Sequence, residues 1–289
     1  MTAAVDQRPV LVTGATGPHG RAVTLALLST GRRVRALTRD PTSARAGELT
    51  ALGGELAVGD LLDPASLTEA MRGTSAVYAV TTPFGGGAQA EIAQGEQILA
   101  AADRAHVPWL VLASVASADR ASGVPHFESK WQIEQRLASS QLLHTVVAPT
   151  YFYENLGNLD QKIADRELAL PLPPHQPLQQ IALADLGAAV ASLFTRRMEF
   201  IGQRIELAGD QPTPQQMTDA LSAAAARHLR YRQVPLDTIA TRNADLAAMY
   251  RFLTDTGYQV DIAAVRAQFP DVNWTSFAQW VNATAPIGR

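Results

Sequence analysis

Three glycines stand at a spacing that suits phosphate binding. Gly14, Gly17 and Gly20 come directly after the apolar run Val10 to Val12 and directly before an Ala- and Leu-rich stretch. Glycines allow the chain to turn tightly and to approach a pyrophosphate closely, and the amino terminus of the next helix offers free N–H groups. A turn that only connects a strand and a helix is the alternative. In the first strand–helix–strand unit the spacing predicts a dinucleotide site, formed by Gly14, Thr16, Gly17, Pro18, His19 and Gly20.

Arg39 and Asp40 bear on which dinucleotide the site prefers. They follow the second predicted strand, where NAD-binding proteins carry an acid for the ribose 2′-hydroxyl. Arg39 comes first and can form two charge-assisted hydrogen bonds with a 2′-phosphate, each contributing about 1.5–3 kcal/mol. We therefore predict NADP(H), favoured by about tenfold or more even if these bonds are half realised. Two alternatives stay open: Arg39 pairs with Asp40 or another acid, or Asp40 binds the ribose and the cofactor is NAD.

Further polar residues follow the third and fourth predicted strands at the same edge of the sheet. Asp60, with Leu61 beside it, ends the third strand, where its carboxylate can accept from the adenine amino group. An ordinary turn residue is the alternative. Thr81, Thr82 and Pro83 follow the fourth strand, at the edge where ligands bind in open parallel sheets. We expect them to flank the nicotinamide half of the cofactor, although a simple polar loop explains them nearly as well.

A parallel sheet is needed to bring these residues to one edge, and the first half of the chain has the matching pattern. Short β-branched runs alternate with Ala- and Leu-rich stretches, as in a sheet with helices on both faces. Asp63 and Pro64 start one helix, since Asp caps free amide groups and Pro fits the first helical position. The predicted strands are Val10 to Thr13, Arg33 to Thr38, Glu55 to Val58, Ala76 to Val80, Trp109 to Ala113 and His144 to Ala148, and the predicted helices include Arg21 to Ser29, Ala88 to His106 and Phe127 to Ala138.

The pattern changes after Thr150, which predicts a second, smaller unit. The proline-rich segment Leu170 to Pro177 cannot sustain a helix and is expected to form a loop. A short strand and a helix are expected over Ile181 to Phe194, another strand over Gln203 to Leu207, and further helices from Pro214 to Ala226 and near the carboxyl terminus. We predict an α/β fold, with a doubly wound parallel sheet over residues 1–150 and a smaller mixed α/β C-terminal substrate lobe over 151–289, of which segments near 181–208 return to the first domain.

The composition excludes several classes of function. The 289 residues include 24 Lys or Arg, 27 Asp or Glu and no cysteine, with a net charge of −3. Thiolate chemistry, disulfides and cysteine-bound metal sites are therefore excluded, and the six histidines lack paired metal-ligand spacing, so we expect no metal. We expect no direct binding of nucleic acid, because the chain lacks a broad basic field, and no membrane span. A cytoplasmic protein without a signal peptide is expected.

The chain resembles the NmrA-like family of atypical short-chain dehydrogenases/reductases in the order of several motifs, which read VLVTGATGPHG, RALTRDP, VGDL, PHFESKWQIEQRL and PTYFYENL. The resemblance covers most of the chain and extends to IALADLG and IELAGDQPT. It implies a Rossmann-type fold that binds NADP(H). Two activities are implied as alternatives, because some members reduce small carbonyl, quinone or enone-type compounds and others sense the cofactor without turning anything over.

Active short-chain dehydrogenases usually carry Tyr-x-x-x-Lys, whereas this chain has His126-Phe-Glu-Ser-Lys130, with both residues on one helix face. The resemblance implies that Lys130, one of only two lysines, binds the cofactor ribose; a surface pair with Glu134 is the alternative. The missing tyrosine puts the standard proton relay in doubt, but the chemistry of histidine allows a substitute: His126, as a neutral imidazole beside the ammonium, can polarise the substrate while solvent completes the protonation. A histidine satisfied by backbone or water is the alternative.

Ser114, or else Ser117, is placed to offer a hydroxyl to the substrate, although an ordinary strand-end serine is equally plausible.

Aromatic residues suggest an apolar substrate site. Tyr151, Tyr153 and Asn155 follow the sixth predicted strand, where the chain leaves the sheet. We expect Tyr151 at the cofactor and the other two at the substrate, with Phe84 and Trp131 adding apolar surface, although such aromatics are at least as often core residues. The leading hypothesis is an NADPH-dependent oxidoreductase, monomeric or homodimeric, that transfers hydride to a small hydrophobic or aromatic carbonyl-, quinone-, enone- or imine-type substrate. The alternative is a non-catalytic NADP(H)-binding redox sensor.

Overall fold

A parallel sheet forms the centre of the molecule. The computed structural model describes residues 6–83 and 85–284. Its strands are β1 (Val10–Val12), β2 (Val34–Thr38), β3 (Glu55–Val58), β4 (Ala76–Ala79), β5 (Leu110–Ala113), β6 (His144–Pro149), β7 (Tyr151–Phe152), β8 (Glu167–Leu170), β9 (Gln180–Ile181), β10 (Arg204–Leu207) and β11 (Arg230–Gln233). Seven of them form one sheet in the order β3-β2-β1-β4-β5-β6-β10, with every neighbouring pair parallel. The chain reverses its direction of winding between β1 and β4, which is where doubly wound folds bind ligands.

Helices cover both faces of this sheet. They are α1 (Pro18–Ser29), α2 (Ala44–Ala51), α3 (Pro64–Met71), α4 (Gly87–Arg104), α5 (Pro125–Ala138), α6 (Leu159–Asp165), α7 (Leu183–Thr195), α8 (Arg197–Phe200), α9 (Pro214–Ala224), α10 (Leu236–Ala240), α11 (Ala244–Asp255), α12 (Ile262–Gln268) and α13 (Phe277–Thr284). In β1, Val10 and Val12 face a core that includes Val23 of α1, whereas Leu11 faces a second core that includes Ile98 of α4. Both faces are buried, which explains why β1 is apolar throughout.

The predicted α/β class and parallel sheet are confirmed. The six strands predicted in the first half all occur, each within one residue of its predicted bounds. Asp63 caps α3 as predicted, since its Oδ1 accepts a hydrogen bond from the N–H of Ala65 at 3.0 Å. The first helix begins at Pro18 and not at Arg21, because proline occupies its first position and Gly17 precedes it as the cap.

Two features escaped the sequence reasoning. Helix α2 begins after Ser43, whose Oγ accepts from the N–H of Ala46 at 3.4 Å, and this serine is the signal that marks the helix. Strands β8 and β11 pair in parallel, and Oε1 of Glu167 lies 2.6 Å from Nε of Arg232 across the pair. These two residues are 65 positions apart, so no local pattern shows their pairing.

The second half of the chain is shared between the main sheet and a smaller region. Strand β10 pairs with β6 at one edge of the sheet, and α7 packs along α1. The strand pairs β7 with β9 and β8 with β11, together with α9 to α13, lie outside the main sheet. The domain boundary near residue 150 stays a prediction. None of the helices in the described ranges is both long and apolar enough to cross a membrane.

Gly187 allows α7 to lie directly on α1. A Cβ at this position would lie 2.7 Å from the carbonyl oxygen of Ala22 and 3.2 Å from Cβ of Ala26. The shorter contact is with the backbone, which cannot rotate aside as the end of a side chain can. The two helices must therefore separate to admit even a methyl group. This contact fixes the helix layer that covers the glycine turn.

We expect Gly187→Ala to lower the free energy of unfolding by about 1–3 kcal/mol, because an added methyl group overpacks the helix contact. Urea unfolding measures this change. Gly47→Ala is the matched control: Gly47 lies within α2 and no atom lies within 4 Å of the added Cβ. The control is expected to gain up to about 1 kcal/mol from helix propensity. Equal or greater stability of Gly187→Ala than of wild type would contradict the close contact.

Candidate active site

The glycine turn between β1 and α1 forms a tight backbone cradle. A Cβ on Gly20 would lie 2.3 Å from the carbonyl oxygen of Gly14, so no larger residue fits there. Gly14 has a φ of +61°, which glycine adopts without strain. The N–H of Gly17 donates to the same carbonyl at 2.9 Å, and Gly17 provides no side-chain cap for α1. Free amide groups in the first turn of α1 therefore fit a pyrophosphate.

His19 lies in the first turn of α1 and is paired with Tyr78. The His19 Nε2 and Tyr78 Oη atoms are 2.8 Å apart, and the His19 ring packs edge-on against Phe152. Burial, with a smaller effect of the Lys130 charge, lowers the pKa of His19 to about 3. Burial also raises the pKa of Tyr78 far above its ordinary value, so Tyr78 donates and neutral His19 accepts. His19 therefore adds no positive charge to the turn at neutral pH.

Arg39 stands at the end of β2 with a free guanidinium. Its side chain is exposed and has no hydrogen bond or ion pair with any residue in 6–83 or 85–284. Asp40 faces its own turn, where Oδ1 accepts from the hydroxyl of Thr42 at 2.6 Å and from its N–H at 2.9 Å; these bonds lower the pKa of the Asp40 carboxyl. The alternative pair of Arg39 with Asp40 is therefore not formed. Arg45, which the sequence reasoning missed, donates from Nη1 to the carbonyl of Thr16 at 3.3 Å.

Asp60 occupies a half-buried turn after β3. Its Oδ1 accepts from the N–H of Leu62 at 2.8 Å, and its own N–H donates to Oγ of Ser66 at 3.2 Å. Asp60 therefore acts as a turn residue, and its Oδ2 makes no hydrogen bond within the described residues. Exposed side chains of Val58 and Leu62 flank the turn, and Leu61 is half-buried beside it. Adenine binding by Asp60 and Leu61 stays a prediction.

The loop after β4 is fixed to the start of α4. Thr81 is buried, and its Oγ1 donates to Oε1 of Glu91 at 2.9 Å. Thr82 exchanges two hydrogen bonds with the side-chain amide of Gln94, at 3.0 Å through its N–H and 3.2 Å through its carbonyl. Pro83 follows, half-buried. These residues lie at the predicted edge of the sheet, where their contact with the nicotinamide half stays a prediction.

Glu91 is the central carboxylate of this site, and the sequence reasoning missed it. It is fully buried in α4 and accepts from Oγ of Thr81 at 2.9 Å, Oγ of Ser129 at 2.5 Å and Nζ of Lys130 at 2.9 Å. Lys130 Nζ also lies 3.4 Å from Thr81 Oγ1. An ammonium has three donors, so one N–H of Lys130 remains for a ligand. The alternative pair of Lys130 with Glu134 is not formed.

His126 lies in the first turn of α5, one turn before Lys130. Its Nδ1 is 2.8 Å from each carboxylate oxygen of Asp245, at the start of α11. The side chain of His126 is 20% exposed, so the ring is open to a ligand on one side. The predicted free ammonium beside the imidazole is corrected here, because Lys130 is paired with Glu91. A catalytic role of His126 stays a prediction.

Ser114 and Ser117 belong to a second network centred on Arg204. Ser114 donates a short hydrogen bond to Glu134, which pairs with Nε of Arg204 at 2.8 Å. The N–H of Ser117 donates to Glu206 at 2.7 Å, and Glu206 also pairs with Arg204. The prediction of a catalytic hydroxyl at Ser114 is corrected, because its proton is held by Glu134 and is not available to a substrate oxygen.

Two aromatics after β6 lie in the core and do not line a site. Tyr151 is buried with its Oη 2.9 Å from Oη of Tyr250. Tyr153 is fully buried and donates to the carbonyl oxygen of Thr275 at 3.0 Å. The structure corrects the prediction that Tyr151 contacts the cofactor and Tyr153 the substrate. The hydroxyl group and the ring of each side chain already contact other residues of the protein.

The remaining predicted substrate residues have different positions. Asn155 is exposed, and Trp131 is half-buried on α5, directly after Lys130. Phe84 lies outside the described residues. A substrate contact of each of these residues stays a prediction.

A groove also lies beside the glycine turn. It is a groove of about 860 Å³ between α1 and α7, bordered at one end by Thr16, Pro18 and Arg45. Neither His126 nor Lys130 lines it. The groove therefore reaches the glycine turn from outside, away from the residues with catalytic chemistry.

Comparison with known proteins gives this geometry its context. The model of the NmrA-like family matches residues 6–281. The chain belongs to the NmrA-like family. It is 30% identical over 230 residues to the NAD(P)H azoreductase of Xenophilus azovorans, across 79% of this chain and 78% of that one. The azoreductase is thus similar over most of both lengths.

Solved structures of similar proteins share the fold. The NADPH-dependent quinone oxidoreductase QOR2 of Escherichia coli, complexed with NADPH, matches 95% of this chain and 99% of its own with a TM-score of 0.80 at 22% identity. NmrA, a negative transcriptional regulator solved in complex with NADP, matches 98% of this chain and 97% of its own with a TM-score of 0.81 at 22% identity. This NmrA-like chain therefore has the Rossmann-type fold of both a reductase and a regulator.

We expect Glu91→Gln to lower the free energy of unfolding by about 3–5 kcal/mol, because the variant leaves Lys130 as a buried charge without a counter-charge. Urea unfolding measures the change. Glu96→Gln is the control on the same helix: Glu96 pairs with Arg136 of α5, but both side chains are more than 40% exposed. The control is expected to change stability by less than about 1 kcal/mol. Similar effects of the two variants would contradict the buried pair.

We expect His19 to make the folded protein less stable as the pH falls below neutral. Its pKa is about 3 in the folded protein and about 6.5 in an unfolded chain. Below about pH 6.5 His19 binds a proton in the unfolded state but not in the folded state. The free energy of unfolding of wild type therefore falls by up to about 1.4 kcal/mol for each pH unit, and by less if the ring is partly exposed. Urea unfolding at pH 7, 6 and 5 should therefore show wild type losing stability relative to His19→Gln. A stability difference that stays constant across this range would contradict a neutral His19.

Proposed function

We propose that this NmrA-like chain is an NADPH-dependent reductase of small conjugated acceptors. The observation that carries the proposal is the free guanidinium of Arg39 at the end of β2, the strand that pairs with β1 and its glycine turn. An arginine in this place favours a 2′-phosphate. Asp40 uses its Oδ1 within its own turn, and ribose binding by its Oδ2 with NAD as cofactor is the alternative. The similarity to an NAD(P)H azoreductase supports the same cofactor class.

The residues of the site have complementary tasks in this proposal. NADPH, when bound, supplies the hydride. Amide groups of the first turn of α1 bind the pyrophosphate, Arg39 binds the 2′-phosphate, and the third N–H of Lys130 donates to a ribose hydroxyl. Glu91 holds Lys130 at a fixed position through its 2.9 Å contact. His126 lies one turn earlier on α5 and faces the substrate.

The acceptor is proposed to be small, hydrophobic or aromatic, with a polarised double bond of the carbonyl, quinone, enone or imine type. The similar quinone oxidoreductase supports the quinone part of this class by name, and the similar azoreductase adds azo compounds to the acceptors that deserve a test. Trp131, which follows Lys130 on α5, is partly buried, and its ring is proposed to add apolar surface for a flat acceptor.

A redox sensor is the second candidate function. His126 replaces the tyrosine that supplies the proton in most short-chain dehydrogenases, and the similar protein NmrA is a transcriptional regulator solved with NADP. A sensor needs the cofactor site but no proton donor. The two functions therefore share every residue of the glycine turn and differ at His126.

Arg39→Ala tests the cofactor assignment. Because the variant loses the contacts to the 2′-phosphate, its affinity for NADPH is expected to fall by about tenfold or more, with little change for NADH. Fluorescence titration with each nucleotide measures both affinities. Arg104→Ala, which removes an exposed arginine of α4, is expected to bind both nucleotides like wild type. A preference for NADPH that survives in Arg39→Ala would contradict the assignment.

Turnover separates the reductase from the sensor. The loss of NADPH absorbance is followed with quinones, enones, aldehydes, cyclic imines and azo compounds. The reductase proposal expects turnover of at least one acceptor class, reduced by about a hundredfold in His126→Ala if the imidazole provides acid catalysis. Tight NADPH binding with no turnover across the panel would favour the sensor.

A further inference from the structure

His126 and Asp245 form a close pair between two helices, although 119 positions separate them in the sequence. Both oxygens of the Asp245 carboxylate lie 2.8 Å from Nδ1 of His126, and Oδ1 also accepts from the backbone N–H of His126 at 3.2 Å. Asp245 is itself fixed in the first turn of α11, which Asn243 caps by accepting from the N–H of Leu246 at 2.9 Å. The orientation of the imidazole is therefore set by a rigid element.

This pair determines which ring nitrogen can act on a ligand. An ionised carboxylate only accepts hydrogen bonds, so Nδ1 of His126 carries a proton. Nε2 makes no hydrogen bond to any residue that the structure describes. In a neutral ring this Nε2 is an acceptor, whereas in an imidazolium both nitrogens donate. Only the imidazolium can therefore give a proton through Nε2.

Asp245 is the charged group in direct contact with the ring. Lys130, which shares the helix face, is paired with Glu91 at 2.9 Å. Glu128 accepts from the N–H of Gly123 at 3.1 Å. The charged groups on the elements packed around His126 are Glu128, Lys130, Glu134 and Arg136 on α5, Asp119 and Arg120 in the turn Ala118–Arg120, and Asp245, Arg251 and Asp255 on α11.

We propose that Asp245 is a positioning residue that makes His126 the proton donor of the reduction. It fixes the ring with Nε2 towards the ligand and balances the charge of the imidazolium. The substrate takes a hydride from the bound dinucleotide at one atom of its double bond. It takes the Nε2 proton of His126 at the oxygen or nitrogen. The electron pair of the N–H bond stays on Nε2, and a solvent proton restores the imidazolium. This inference rests on the proposed reductase function.

The first test needs neither cofactor nor substrate. Nitrogen-15 NMR of the histidine side chains distinguishes the Nδ1–H from the Nε2–H form of the neutral ring. His126 in wild type is expected to be in the Nδ1–H form, and Asp245→Asn is expected to keep it because the amide oxygen still accepts. Asp245→Ala removes the acceptor and is expected to lose this preference. A mixture of both ring forms in wild type would overturn the proposal.

The second test uses the best acceptor from the turnover panel. Because Asn keeps the orientation but removes the charge, Asp245→Asn is expected to lower kcat by about tenfold, and Asp245→Ala by about a hundredfold, within the range of general acid catalysis. The KM for NADPH is expected to stay unchanged in both variants. Asp255→Asn is the matched control, since it makes the same change at an exposed position on the same helix and should retain wild-type kcat.

The outcomes separate this proposal from the one on which it rests. Wild type that binds NADPH but turns over no acceptor removes the reductase function, and the proton-donor role with it. Active wild type with unchanged kcat in both Asp245 variants overturns the role of Asp245 alone. A rise in the KM for NADPH at unchanged kcat also overturns it, since the pair would then only hold α5 against α11. Thermal unfolding of each variant verifies that it is folded.

Discussion

The buried ion pair between Glu91 and Lys130 is the interaction on which the candidate site depends. Taking two charges out of water costs several kcal/mol for each ion, and such a pair is stable only if the geometry is good and the remaining polar atoms are bonded. Both conditions hold here, because Thr81 and Ser129 donate to the same carboxylate at 2.9 and 2.5 Å. The pair joins the loop after β4, α4 and α5 at the edge of the sheet. It leaves one ammonium donor of Lys130 available, which the proposed function assigns to a cofactor ribose.

Helix α5 is held from two sides, and this fixes the position of the residues with catalytic chemistry. On one side, Gly95 allows close approach to α4, since a Cβ there would lie 2.5 Å from Cγ1 of Ile133. On the other side, Asp245 of α11 contacts His126. His126 stands where the usual short-chain dehydrogenase motif has tyrosine, and in this chain a carboxylate from the C-terminal region contacts it.

Local patterns predicted the parts of this molecule that depend on local chemistry. The strands, the cap at Asp63 and the glycine turn follow from residue type and spacing, and the structure shows each of them. The partners of the site residues depend on distant segments. Glu91 lies 39 positions from Lys130, so no spacing rule marks it. Tyr153 follows a strand at the ligand edge, yet its ring turns into the core of the C-terminal region, which only the packing of helices far along the chain determines.

The most direct measurement of the central claim is a crystal structure of this chain with bound NADP⁺ and an unreactive acceptor analogue. The account predicts that Nζ of Lys130 keeps its contact with Glu91 and lies about 3 Å from a hydroxyl of the nicotinamide ribose. It also predicts Nε2 of His126 within hydrogen-bond distance of the acceptor oxygen or nitrogen, with Nδ1 still on Asp245. A complex in which Nε2 faces away from the acceptor, or in which Lys130 does not touch the cofactor, would contradict it.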